Sequence, residues 1–180
     1  MSRTLIRGAT IVTLDKIVDL PAGDLLIDDD TIIEIDAHID ASDAQLIDAT
    51  GCIMIPGLVN AHMHTWQTGL RGLAANWTLL EYFQKMHAGL ATVFAPEDLY
   101  IATLVGALNQ LNCGTTTLAD WCHNNKTPEH NDAAITGLLE SGIRAAFFHG
   151  TPKPDPQPGQ LPYWETHHPR AELEIGRAHV

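Results

Sequence analysis

The chain has 180 residues, with 22 Asp and Glu against 10 Lys and Arg and a formal net charge of −12. With no Lys/Arg cluster it is a poor partner for duplex DNA or RNA, whose phosphates need concentrated positive charge, and the acidity reads as solubility. No 18-residue apolar run and no charged-then-apolar leader is seen, so no membrane partner is expected, while three scattered cysteines (Cys52, Cys113, Cys122) without a Cys-x-x-Cys pair fit a reduced, cytoplasmic protein.

Residues 1–55 read as short strands with no helical period. The β-rich pieces are Thr4–Arg7, Ala9–Leu14, Asp24–Ile27, Thr31–Ile35 and Gln45–Asp48, with turns expected at Pro21-Ala22-Gly23 and Asp28-Asp29-Asp30. From Leu58 the pattern changes to strand alternating with helix. Leu58–His62 is the first such strand, entered through the Pro56-Gly57 turn. Asn76 or Thr78 can cap a helix through about Met86. A second helix starts at Pro96, carries Glu97 and Asp98 at its positive end, repeats Leu104, Val105, Leu108 and Leu111 at helical spacing, and stops at Gly114. Thr115–Ala119 is the next strand, about Glu129 to Ser141 a helix closed by Gly142, and Ile143–Phe148 a third strand. This order predicts parallel strands with right-handed crossovers. Five prolines within Thr151–Pro162 then mark a loop.

Chemistry concentrates at Pro56–Gly72, PGLVNAHMHTWQTGLRG. Residues i and i+2 of a strand share a face, so His62 and His64 project together with Met63 opposite. Two neutral imidazoles at a strand end make half a site for Zn²⁺ or Fe²⁺. In a chain with ten histidines the pair alone is weak evidence. The surrounding string is more specific. It resembles the first barrel strand of the amidohydrolase superfamily, in the branch of triazine hydrolases, cytosine and guanine deaminases and S-adenosylhomocysteine deaminases. There a Pro-Gly-Leu/Phe-x-(Asn/Asp)-x-His-x-His run is followed by Gln and Arg-Gly, and Gln67 and Arg71-Gly72 fall in register. The resemblance runs from about Thr4 to about Pro154.

The resemblance implies an α/β fold: the first strands of a (β/α)8 TIM-type barrel, over residues 56–174, preceded by part of a small β-sandwich domain in residues 1–55. A full barrel needs about 250 residues, so the chain is expected to be the N-terminal part of a longer protein. Residues 175–180, IGRAHV, match one reading frame of a widely used sequencing adapter and are read as read-through of it; a natural stop codon after Val180 in genomic DNA would refute this. By resemblance, His62 and His64 hold one divalent metal ion, zinc or iron, which lowers the pKa of water. Gln67 and Arg71 line the substrate pocket, with His123 and His149, each following a later strand, as further candidates. The other ligands (a His after strand five, a His after strand six, an Asp after strand eight) and the general acid/base fall beyond these residues. His167 and His168 have no ligand-like spacing. Trp66 and Trp77 could stack a flat ring or simply pack, and Cys122 lacks a base to make it a nucleophile. The expected activity is hydrolytic deamination of a small amino-substituted N-heterocycle by a homo-oligomeric protein, with the 180-residue chain itself inactive. Cleavage of a cyclic amide, as in dihydroorotase-like relatives, and a catalytically dead assembly subunit are the alternatives.

Overall fold

Residues 3–14, 19–150 and 158–159 are described by the computed structural model. His167, His168, most of the proline-rich stretch and the reading of residues 175–180 lie outside the described residues. The chain divides into two units, Met1–Pro56 and Gly57–Val180.

The first unit is one five-stranded sheet among the described residues: β1 (Arg3–Ile11), β2 (Leu20–Asp28), β3 (Thr31–Asp36), β4 (Gln45–Asp48) and the two-residue β5 (Ile53–Met54). Their order is β3-β2-β1-β4, with β5 also on β1; β2 runs antiparallel to both neighbours, and β4 and β5 run parallel to β1. The two strands expected over Thr4–Leu14 are one. Gly8, at φ +79°, sits in a register shift that bends β1 without ending it. Pro21-Ala22-Gly23 is strand rather than turn. In this stretch β2 pairs only with β1, because β3 begins to pair at Asp24, so the N–H that Pro21 lacks is not missed. Asp24 is buried and accepts from Ile39 N (3.1 Å), Arg7 Nε (3.0 Å) and Gly8 N (3.2 Å). Burial pushes its pKa up, but those bonds prevail and hold it below the ordinary carboxylate value.

The second unit is a three-stranded parallel sheet, β6 (Leu58–Met63), β7 (Thr115–Cys122) and β8 (Arg144–His149), with β7 in the middle. Between β6 and β7 run α1 (Leu79–Tyr82), a π-helical stretch (Phe83–Leu90), α2 (Ala91–Val93) and α3 (Pro96–Asn112); α4 (Pro128–Ser141) joins β7 to β8. Thr78 starts α1 with a reciprocal cap: Glu81 N donates to Thr78 Oγ1 and Thr78 N to Glu81 Oε2. The helix expected to end near Met86 continues to Val93 because the wider π turns carry it on. Gly114 (φ +84°) and Gly142 (φ +77°) end α3 and α4 where the sequence predicts. Among the described residues no single helix is long and apolar enough to cross a membrane.

Both helices pack on one face of the sheet. Leu118, fully buried, meets Ala107 of α3, Leu138 of α4 and Ile143, with Met63, Leu111 and Phe147 at the margin. A second cluster sets Trp66 against Met86, Ala91, Leu99, Cys122 and Ala134. α3 approaches the 3-10 turn Thr65–Leu70 at Gly106, where an added Cβ would lie 2.5 Å from Thr68 Oγ1 and 2.7 Å from Thr65 Cγ2. Gly106→Ala is therefore expected to cost about 1–3 kcal/mol of overpacking, offset by up to ~1 kcal/mol of helix propensity. Urea unfolding should show a lower midpoint at unchanged slope; an unchanged midpoint would mean the turn yields freely.

Candidate functional site

Three residues of β6 span two of β7: Asn60 sits opposite Leu118, and Met63 opposite Asp120. This bulge resets the alternation. Asn60 donates to Gln110 of α3 and Met63 packs in the helix-side cluster, while Ala61 and His62 line the cavity on the opposite face. The strand thus delivers His62 and His64 to one place, with their Nε2 atoms 3.2 Å apart. His64 Nδ1 lies 2.8 Å from the Trp121 carbonyl oxygen. A carbonyl only accepts, so His64 carries its proton on Nδ1 and turns the Nε2 lone pair toward His62. Two nitrogens held at about 2.0–2.1 Å by one tetrahedral zinc lie about 3.3–3.4 Å apart, so the donor pair fits a single cation with little adjustment. Among the described residues no group of three or more His, Cys, Asp or Glu is arranged to hold a metal ion.

His123, just past β7, stacks on His64 with ring centroids 4.1 Å apart. The buried indole Nε1–H of Trp66 donates to its Nδ1 at 3.1 Å. His87, on the π-helical stretch, lies edge-on to His123 at 4.3 Å and to Tyr82 at 4.9 Å. Four imidazoles therefore gather at the C-terminal end of the strands, although sequence reasoning passed over His87. Its neighbours are all helical, and only the packing of that helix against the sheet brings it in. Burial first, then the neighbouring imidazoles, drives the pKa of His123 down to about 2; burial, then His64, takes His87 down to about 4. Both are neutral at pH 7.

His87 makes stability fall with acid. The unfolded ring protonates near 6.5 and the folded ring near 4, so between these values the unfolded chain binds more protons. Stability present above about pH 6.5 is lost toward pH 4. The difference is worth at most ~3.4 kcal/mol, and about 2 after screening at a partly open ring. His87→Phe should flatten the urea midpoint between pH 7 and 5; an unchanged slope would contradict this burial.

A cavity of about 400 Å³ is lined by Ala61, His62, Ala119, Trp121, Phe148 and His149. Its indole is Trp121, 47% exposed and 5.7 Å from the His62 ring. Trp66 has no open face, being fully buried edge-on to Phe94, so it does not offer the platform raised from sequence, while Trp77 is half-buried against the same cluster with Lys85 over its ring. The alternation of β7 that exposes Trp121 buries Asp120 and Cys122 on the helix side. Asp120 Oδ1 accepts from Thr65 N at 2.9 Å; burial raises its pKa. Burial also pushes the Cys122 thiol far up, leaving it inert. Gln67 donates to Tyr82 Oη at 2.6 Å, beside the imidazole group. Arg71 is exposed just past the 3-10 turn and makes no ion pair with a described residue. His149 ends β8 with Nδ1 3.3 Å from Asn131 Oδ1.

No protein-family model matches the chain. It is 34% identical over 151 residues to the 5-methylthioadenosine/S-adenosylhomocysteine deaminase of Caldicellulosiruptor saccharolyticus, an alignment covering 81% of this chain and 34% of that protein. It is 32% identical to the 5'-deoxyadenosine deaminase of Methanosarcina mazei, over 83% of this chain and 34% of that one. In structure it is similar to an atrazine chlorohydrolase mutant of Arthrobacter aurescens complexed with zinc and atraton: TM-score 0.71, 29% identity, 80% of this chain and 35% of the other. The chain belongs to the amidohydrolase superfamily. Escherichia coli guanine deaminase, at 18% identity and TM-score 0.61, shares the fold with this amidohydrolase chain over 83% of it. The chain spans about a third of the length of the curated relatives it matches.

Proposed function

We propose that this amidohydrolase chain carries the first metal-binding strand of an enzyme that hydrolytically deaminates a small amino-substituted N-heterocycle. In this reading β6, β7 and β8 are the first three strands of a (β/α)8 barrel, residues 1–55 belong to a small β-sandwich domain, and the barrel portion runs from 56 to 174. The observation that carries the reading is the convergence of His62 and His64 Nε2 at 3.2 Å on the C-terminal side of a parallel sheet. The zinc-bound relative supports a divalent cation there; in this reading it is one ion per site, zinc or iron. When bound, that cation supplies Lewis acidity that makes water nucleophilic near neutral pH.

The residues of this chain hold and orient. His62 and His64 present two nitrogens, and the Trp121 carbonyl fixes the His64 tautomer. In this reading Gln67, Arg71 and His123 bind the substrate, and Trp121 lines the cavity that takes its ring. Two nitrogens are fewer than the three or four protein ligands of a zinc site, so the 180-residue chain alone holds metal weakly and is inactive. The three free cysteines accord with a reduced, cytoplasmic setting. The test is to express the whole reading frame, measure bound metal by elemental analysis, and assay ammonia release from 5'-deoxyadenosine, S-adenosylhomocysteine, guanine and an amino-triazine. About one metal per chain with ammonia released from at least one substrate supports the proposal. Opening of dihydroorotate without ammonia release, or no metal and no turnover, overturns it.

A further inference from the structure

Two stacked imidazoles at this site are tied from opposite sides. His64, on the β6 end, gives its Nδ1 proton to the main chain of β7 at Trp121 O, 2.8 Å away. His123, on the β7 end, receives at Nδ1 the indole proton of Trp66, which follows β6, at 3.1 Å. An indole N–H can only donate, so Nδ1 of His123 must offer a lone pair, and the neutral ring carries its proton on Nε2. The rings lie 4.1 Å apart at a tilt of 31°, yet they are held in opposite tautomers.

We propose that Trp66 is a positioning residue that makes His123 an obligate N–H donor through Nε2, so that the site selects a substrate presenting a hydrogen-bond acceptor at that point. Three observations support the lock. Trp66 is fully buried and braced edge-on by Phe94 at 5.3 Å, so its N–H has one direction available. The His123 backbone is pinned by its neighbours: Gly150 N donates to Cys122 O at 2.8 Å and Asn125 N to Gly150 O at 3.0 Å, and a Cβ on Gly150 would meet His123 Cα at 3.0 Å. His123 Nε2 makes no hydrogen bond with a described residue, which leaves its proton for a ligand. The same bond removes His123 Nδ1 from the metal-binding set, leaving His62 and His64 as the pair whose Nε2 atoms face each other.

The acceptor fits an unprotonated ring nitrogen or an exocyclic carbonyl, and an N–H at the same position would meet the donor head-on. This selectivity rests on the proposed deamination, whereas the lock itself does not. The experiment therefore has two parts. In the ¹⁵N-labelled, metal-free full chain, a through-hydrogen-bond coupling between Trp66 Nε1 and His123 Nδ1 is expected, with Nε2 as the protonated ring nitrogen. Trp66→Phe keeps the aromatic volume and should shift His123 to a mixture of tautomers. A protonated His123 Nδ1 in the unaltered chain, or an unmoved tautomer in a folded Trp66→Phe, overturns the lock. If the variant fails to fold, the coupling in the unaltered chain decides alone. In the protein from the whole reading frame, His123→Leu should lower kcat/KM about 10- to 100-fold and His123→Gln, which restores an N–H, should recover most of it. Equal losses in both variants would overturn the donor role. An intact coupling in a protein without deaminase activity would sink the proposed function and leave the lock standing.

Discussion

Replacing His64 by alanine is expected to strip the metal from the protein of the whole reading frame and to lower kcat/KM at least about 10³-fold. His64 does more than supply one nitrogen. Its ring joins β6 to β7 through the Trp121 carbonyl and forms one side of the stack that holds His123. Without it His62 has no partner nitrogen at 3.2 Å. Loss of the Lewis-acid contribution, several kcal/mol, at ~1.36 kcal/mol per tenfold accounts for a drop of that size. The fold should survive, because His64 is half-buried and absent from every apolar cluster. Elemental analysis and steady-state kinetics check this together. A variant that keeps full metal and loses less than about tenfold would show that the pair is not the ligand set.

Leu118→Ala is expected to cost about 2–5 kcal/mol, a larger stability loss than Gly106→Ala brings. Leu118 is fully buried on the central strand, between Ala107 of α3 and Leu138 of α4. Both helices converge on it, so neither can fill the hole without leaving the other. Urea unfolding should show the fall in midpoint. A loss under about 1 kcal/mol would mean the helices collapse into the gap and are less firmly set than their burial implies.

Much of this was legible in the residues. The turn at Gly114, the αL stop at Gly142 and the β-branched run from Thr115 mark real boundaries, because each rests on local backbone chemistry. The shared face of His62 and His64 was also expected, but partly for an incomplete reason. Strict alternation puts His62 and His64 on one side, and it would also put Asn60 there; the bulge sends Asn60 to Gln110 instead. A bulge depends on pairing with β7, which no window of β6 reveals. Pro21-Ala22-Gly23 looked like a turn because its composition is turn-like, whereas the one-sided pairing of β2 tolerates it. His87 and Trp121 were overlooked as site residues for the same kind of reason. Their place is set by which face of a helix or strand tertiary packing turns toward the cavity, and the sequence near them reads as ordinary amphipathic pattern.

The central claim is that one cation takes the Nε2 atoms of both His62 and His64. A crystal of the zinc-loaded protein from the whole reading frame, with an anomalous difference map at the zinc edge, tests it most directly. The expected result is a single peak about 2.0–2.1 Å from each of the two nitrogens. A zinc peak elsewhere, with the two rings still facing each other across an ordinary hydrogen bond, would contradict it.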